Sequence, residues 1–406
     1  MKDIRDLVAI DGRWPGTDAE RRASRHLAAR LGELGRDAEL EPTRVRPNYP
    51  VVHVIHALLA IVGSVLSVSA PIAGAALALL AAVSTLGDLT GSFFLVRRLT
   101  GARASQNVVS REGGEKPGTL VLVAHCDAAR GGAVFSRRSL ERRAALGKLI
   151  HRQIGPFEPF FWSMIVVLVC AGLRVLEVDA LALTIVQFAA TVVLIVSVPL
   201  LADIALSGVV PGASDNASGV ATVLRLADRY GGRLEHFDVW VVFTGAEEGF
   251  LLGMREWLRR HKPELPRAST VILNVDKVGH GTVRYSRKEG FVFAFALHPA
   301  LVELCDQIAE EDVGENRYGA RGIVSRAAIT DAHAARSSGY PAASIQCLNA
   351  LDYDPNYHQP TDTPERIQPE ALERAYGFCS ELIELIDERL GPDVAAGVGE
   401  LEAEPA

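Results

Sequence analysis

Between Arg46 and Asp88 the chain carries no Asp, Glu, Lys or Arg. As one helix this stretch would be about 60 Å long, twice the ~30 Å hydrocarbon thickness of a bilayer, so it suits two crossings rather than one. Ser69-Ala70-Pro71 is the natural turn, which predicts helices over 51–69 and 72–96. A second apolar region begins at 159–173, entered through Phe157, Phe160, Phe161 and Trp162, aromatics that suit a membrane interface. Arg174, Glu177 and Asp179 mark a tight connection, and 180–202 is again long enough to span. Buried helices of a soluble protein are the alternative, most open for the short run at 159–173. The composition favours lipid: 49% of residues are hydrophobic and 22% charged, with a mean hydropathy of +0.17.

The flanks orient the hairpins. Arg44, Arg46, Arg97, Arg98, Arg137 and Arg138 fall on one side, whereas the tight turns offer only Arg174 with two acids. The excess of cations predicts an integral protein of the inner or plasma membrane with both termini and the large loops in the cytoplasm. The first 48 residues, rich in Arg, Glu and Asp, show no pattern of a cleaved signal peptide. Five scattered cysteines make no disulfide framework and favour a reducing compartment. A net charge of -7 without a basic, aromatic-interleaved run excludes nucleic acid as the main partner.

The polar remainder alternates strands and helices. Residues 18–35 place Ala23, Leu27, Leu31 and Leu34 at helical spacing after Thr17 as N-cap. Strand-like runs occur at 118–124, 239–244, 271–275 and 342–347, with an early strand near 38–41 and another preceding Asn107. Helical stretches at 216–230, 249–262, 299–311 and 365–390 intervene, which predicts an α/β domain with a mainly parallel, mixed sheet flanked by helices. The expected organisation is one discontinuous catalytic domain (1–50, 97–157 and 207–390), hairpins at 51–96 and 158–206, and a disordered acidic tail at 391–406.

In an open α/β sheet, ligands bind beyond the carboxyl ends of the strands. There the predicted strands run into His125-Cys126-Asp127, Glu247-Glu248 and Asp276. One imidazole and several carboxylates at one sheet edge would repel strongly unless cations neutralised them, and His/Asp/Glu donors without cysteine pairs suit catalytic zinc. The His-x-Asp spacing puts both side chains on one face of a strand, so Asp127 can orient His125. Each element has a plainer reading: Ser214-Asp215-Asn216 as a capping turn, Glu247-Glu248 as first-turn acids, Cys126 as a small buried hydrophobe. His53 and His56 read as interfacial or bundle-facing groups, and His26, His151, His236, His261, His280 and His298 as surface or capping residues.

Taken together, AHCD (124–127), SDNASG (214–219), TGAEEGFLLG (244–253), NVDKVG (274–279), TDAH with SGYPAAS (330–333, 338–344) and YHQPTDT (357–363) resemble, in order, the co-catalytic dizinc aminopeptidases. That family includes bacterial leucyl aminopeptidase and aminopeptidase Y, with the glutamate carboxypeptidase II group and glutaminyl cyclases as relatives. GRWPGT (12–17) and the helix after it look like that family's first helix. The resemblance implies two Zn2+ ions, or another divalent metal. Asp215 would bridge them, His125 and Asp276 would complete one site, and Glu248 and His358 the other. Glu247 would be the general base toward a metal-bridging water, Asp127 the partner of His125, and Tyr357 a stabiliser of the oxyanion. Asp331 and His333 would contact substrate or buttress their loop. The chain departs from the family in separating His125 from Asp215 by about ninety residues that contain the second hairpin.

The expectation is a membrane-anchored zinc exopeptidase, an aminopeptidase acting on peptides, apolar or membrane-derived ones among them. Carboxypeptidase or glutaminyl cyclase chemistry on the same scaffold, or a non-catalytic receptor, are the alternatives.

Overall fold

The computed structural model describes residues 1–314 and 316–391. The expected tail lies, but for Gly391, outside the described residues. In chain order the elements are α1 (Lys2–Val8), α2 (Asp18–Glu33), β1 (Glu39–Val45), α3 (Tyr49–Leu66), α4 (Pro71–Thr90), β2 (Arg103–Ser110), β3 (Gly118–His125), α5 (Arg137–Leu149), α6 (Glu158–Val175) and α7 (Leu181–Leu206). There follow α8 (Gly219–Tyr230), β4 (Phe237–Thr244), α9 (Leu252–His261), β5 (Thr270–Val275), β6 (Thr282–Glu289), β7 (Phe295–Ala296), α10 (Pro299–Glu311), β8 (Arg321–Ser325), α11 (Asp331–Ser337), β9 (Ala342–Leu348) and α12 (Pro369–Leu385).

The sheet runs β1-β2-β4-β3-β5-β9-β6-β7, with β8 beside β6. Its centre is parallel: β3 lies between β4 and β5, and β5 pairs with β9. The flanks are antiparallel, at β1-β2, β2-β4 and β6-β9. Strands β4, β5 and β9 are buried at every position, as near-continuous apolar runs of a sheet covered on both faces require. One face packs under α1, α2, α8, α10 and α12, and the other under α9, α11 and the feet of the apolar helices. The fold is therefore the mixed, helix-flanked α/β class expected. Two details differ: β1 continues to Val45, and Asn107 sits inside β2 rather than after it. Helix α5, a basic segment without clear periodicity, was not foreseen.

Among the described residues, four helices are long and apolar enough to cross a membrane: α3, α4, α6 and α7. They form one bundle, with α3 against α4 and α7, and α6 against α4 and α7. The α3-α4 contact is close because its residues are small. A methyl group on Gly74 would fall 2.4 Å from the Ser67 backbone, so a larger residue there would push the helices apart. Inside, Gln187 donates to the Ser64 carbonyl at 2.7 Å and to Ser67 Oγ at 2.8 Å, and accepts from Arg174 Nε at 2.9 Å. Arg174 thus ends α6 as a buried, bonded group, not a free charge in the turn. The outer face of α7 is apolar, with Ile185, Phe188, Ile195 and Val196 exposed.

Helix α4 ends at Thr90, not at 96, and the chain turns back so that Arg97 meets Asp88 with hydrogen bonds of 2.6 and 2.9 Å. Both are buried beside His53, whose Nε2 lies 3.5 Å from Asp88, and His53 and His56 face each other at 3.2 Å. These histidines are therefore bundle-facing. Arg97 also donates to the Gly249 carbonyl at 2.8 Å, and Arg255 of α9 donates to the Gly91 carbonyl at 2.6 Å. The first hairpin is in this way fastened to the loop that carries Glu247 and Glu248.

Candidate metal centre

Three parallel strands end side by side. The register sets His125 opposite Thr244 and Val123 opposite Asn274, so the residues just beyond β3, β4 and β5 converge. Asp215 arrives from the turn before α8 and His358 from the loop after β9. His125 Nε2 lies 3.1 Å from Asp215 Oδ1 and 3.4 Å from Asp276 Oδ1. His358 Nε2 lies 3.4 Å from Asp215 Oδ2 and 3.4 Å from Glu248 Oε2. The two oxygens of Asp215 therefore face different histidines, each of which has a second carboxylate of its own. Both triads hold their candidate ligand atoms within 4.8 Å of one another. Glu247 approaches from the His125 side, 3.9 Å from its Nε2.

Local hydrogen bonds fix this arrangement. Asp362 accepts the N–H groups of Ser214 at 2.7 Å and Asp215 at 3.1 Å. Asn216 donates to the Val275 carbonyl at 3.0 Å, and its oxygen accepts from Gly219 N at 3.0 Å and Lys277 N at 3.1 Å. One side chain thus ties the turn of Asp215 to the strand end of Asp276. Gly219 is required there, since a methyl group would stand 2.2 Å from the Asn216 oxygen and 2.3 Å from the Val275 carbonyl. Asp127 accepts from Glu247 N at 3.2 Å and Glu248 N at 2.9 Å. Its carboxylate lies 3.5 Å from His125 Nδ1, an ion-pair distance, so its hydrogen bonds go to the loop and not to the imidazole. Ala246, Phe250, Leu251, Lys277 and His358 all adopt left-handed backbone, a concentration of strain typical of functional sites.

The charges do not balance without a guest. Asp215 Oδ2, Glu248 Oε1 and Asp276 Oδ1 are buried with no hydrogen-bond partner among the described residues. Burial, with Glu248, Asp331 and Asp276 nearby and His125 opposing, drives the Glu247 carboxyl well above the ordinary range. Burial lowers the His358 pKa less than Glu248 and Asp215 raise it, to about 9, and His125 is likewise raised against burial by Glu247, Asp127, Asp215 and Asp276. Both imidazoles thus attract protons as they would cations. Nitrogen and oxygen donors in two triads sharing one carboxylate fit a pair of divalent ions such as zinc.

Tyr357 stacks on His358 with ring centroids 3.8 Å apart. Asp331 is buried at the start of α11, accepts from the Thr244 hydroxyl, and is pushed up to about 7, first by burial. His333 is buried against Phe295, with ring centroids 6.1 Å apart. Cys126 is buried in the core, 3.8 Å from Ser24 Oγ, with its thiol pushed up by burial. Three residues escaped the sequence reading. Lys277 pairs with Asp276 through Oδ2, leaving Oδ1 toward His125. Asp362 holds the Asp215 turn, and Asp354 accepts from Ser214 Oγ. Lys277 and Asp362 lay inside noted motifs, but a buried role has no signature of its own. Arg13, likewise within GRWPGT, is fully buried and donates to the Cys126 carbonyl at 3.1 Å and the Leu7 carbonyl at 2.9 Å.

Solved structures share this fold. A zinc-dependent exopeptidase from Parabacteroides distasonis superposes with a TM-score of 0.52 at 13% identity, over 96% of each chain. BSAP, a zinc aminopeptidase from Bacillus subtilis, gives 0.52 at 14% identity, over 94% of this chain and 93% of its own. A glutaminyl cyclase from Fimbriiglobus ruber gives 0.53 at 14% identity, over 95% of this chain and 93% of its own. No curated protein matches the sequence. Residues 197–383, which carry Asp215, Glu247, Glu248, Asp276 and His358, match the family described as peptidase family M28.

Proposed function

We propose that this chain is a membrane-anchored dizinc peptidase of the M28 type that removes amino-terminal residues from peptides. The observation that carries it is the division of Asp215, one oxygen toward His125 with Asp276 and the other toward His358 with Glu248. Its domain is one catalytic unit interrupted by two hairpins. The arginine flanks of the hairpins support a cytoplasmic side for that unit.

His125, Asp215 and Asp276 would hold one ion and His358, Asp215 and Glu248 the other. Bound zinc supplies a Lewis acid for the scissile carbonyl and an acidified water. The chain's own part is proton transfer and positioning. Glu247 takes a proton from the attacking water as its oxygen bonds to the carbonyl carbon, then returns it to the amine nitrogen as the C–N bond breaks. The products are one amino acid and the shortened peptide. Tyr357, over the other side of His358, offers a phenol to the developing oxyanion, and Asp127 keeps the backbone of Glu247 and Glu248 in place. Asp331, held by the Thr244 hydroxyl, adds negative charge near Glu247 and so strengthens it as a base.

Glu247→Gln is the test. Metal analysis should find the wild-type zinc content, while hydrolysis of leucyl-anilide falls by about 10²–10⁴-fold, the usual worth of a general base. Turnover retained by this variant overturns the mechanism. A panel of peptides with free and blocked termini distinguishes aminopeptidase from carboxypeptidase or cyclase action.

A further inference from the structure

The candidate centre opens on one side into an apolar cavity of about 140 Å3. Glu247, Glu248, Tyr357 and His358 form its polar end. The remaining wall includes Tyr49, Phe157, Phe160, Leu200, Ile204 and Phe291, so α3, α6 and α7 all contribute. A space of this size suits one apolar side chain, about as large as benzene or the side chain of leucine.

On the α7 wall, Leu200 lines the cavity and is 40% exposed, so the wall is not sealed there. Pro199 beside it has no N–H to give to the preceding turn, so the helix is weakest at the level of the cavity. The height of this wall is marked by Trp162, one turn into α6, and Phe293, both partly exposed with ring centroids 6.0 Å apart. Exposed aromatics of this kind sit where headgroups meet hydrocarbon.

The opposite side is different. Tyr357 and Lys277 line a narrow space that continues past Arg143 into a large opening bordered by Lys148, Arg152, Arg321 and Arg326. One side of the centre is therefore apolar; on the other, Arg152 is paired with Glu158 and Arg321 with Asp352, which leaves Arg143 and Lys148 as the cations without an ion pair among the described residues.

We propose that the apolar cavity is a lipid-side entrance. An amphipathic peptide dissolved in the bilayer passes its apolar amino-terminal end by Leu200 and presents its first amide to the centre, with its polar, acidic remainder toward Arg143 and Lys148. This rests on the aminopeptidase and membrane readings, and its test is chosen to fail separately from theirs.

The full chain, zinc-loaded in lipid nanodiscs, is irradiated with a short peptide that begins with a diazirine-bearing leucine and ends in two glutamates. The Glu247→Gln protein is used, and cross-links are mapped by mass spectrometry. Labels on α7 between Ser197 and Ile204 or on Phe160 are expected; labels that miss these positions overturn the entrance. In the active protein, Leu200→Trp should lower the ratio of kcat/KM for this peptide to that for alanyl-anilide by about tenfold, within the range that a filled apolar pocket imposes. Ile195→Trp, on the outer face of α7 but away from the cavity, should not move the ratio. If Leu200→Trp does not fold, Ser197→Phe carries the same comparison, and an unmoved ratio overturns the proposal. Labels on α7 in a protein that hydrolyses neither substrate would sustain the entrance and defeat the peptidase reading. Hydrolysis of alanyl-anilide with no label on α7 would do the reverse.

Discussion

Two buried groups of charges lie on either side of the loop 245–251, and they solve burial differently. Near the bundle, Asp88 is matched by Arg97, and the pair is completed by His53, His56 and the Gly249 carbonyl. At the sheet edge, Asp215, Glu247, Glu248 and Asp276 face two imidazoles and one lysine, and three of their oxygens have no partner among the described residues. A buried charge is tolerable when it is paired and bonded. In the first cluster the charges are matched within it and only the neutral His53 Nε2 stands unbonded, whereas in the second it is carboxylate oxygens that are left over, a remainder that a cation would close. Burial of acids alone therefore says little about metal binding; the unpaired remainder is what points to it.

That contrast can be broken by experiment. The largest expected effect is on activity: Asp215→Asn should lose both ions and lower leucyl-anilide hydrolysis by at least about 10³-fold, since several kcal/mol of charge stabilisation goes with them. Metal analysis alongside kinetics checks it, and a variant that keeps two ions per chain would refute the bridging role. Next, removal of metal by a chelator should lower stability by about 3–4 kcal/mol per ion, so about 7 kcal/mol for two, if each is present at several hundred times its dissociation constant. Arg97→Met should cost about 3–5 kcal/mol by leaving Asp88 buried and unpaired. The double variant Asp88→Leu with Arg97→Met should recover most of it, read as thermal midpoints in detergent. The loss on metal removal should vanish in Asp215→Asn and persist in the double variant.

The smallest effect concerns a third cluster, at the sheet margin, where His261 bonds Glu41 at 2.8 Å and Glu264 at 3.2 Å. Burial works against its charge, but these two acids hold its pKa above the ordinary 6.5. A raised histidine contributes its full stability below the unfolded pKa and loses it as pH rises through the folded one. His261→Gln should therefore cost stability at pH 6, by about 1 kcal/mol or less since the cluster is partly solvated, and progressively less above pH 6.5. Denaturant titrations at both pH values check this. A cost that grows with pH would reverse the assignment.

How much could be read beforehand follows from the same physics. The alternation of β3, β4, β5 and β9 with α8, α9 and α10 was legible because buried strands are short apolar runs. The ligand candidates were legible as motifs placed after those strands. Lys277 and Asp362 were not, because their roles depend on which turn each faces, and that is settled by tertiary packing. His261 was read as a surface group because helical spacing alone does not reveal that β1 supplies Glu41 opposite it. The extra length of β1 and the end of α4 at Thr90 escaped for a related reason: both follow from partners distant in sequence, β2 in one case and Arg255 in the other. Helix α5 carries mostly charge and lacks an apolar stripe to announce it.

The order of strands carries a consequence for how the molecule is made. Strand β1 pairs with β2 across the whole first hairpin, and β3 pairs with β4 across the whole second one. Neither pairing can form until the intervening apolar helices have been made and folded aside. Contacts this distant in sequence are slow to close in any case. The centre of the sheet, and with it the edge that gathers His125, Asp215 and Asp276, therefore waits on both hairpins, so the two triads exist only in a chain whose apolar helices are already in place.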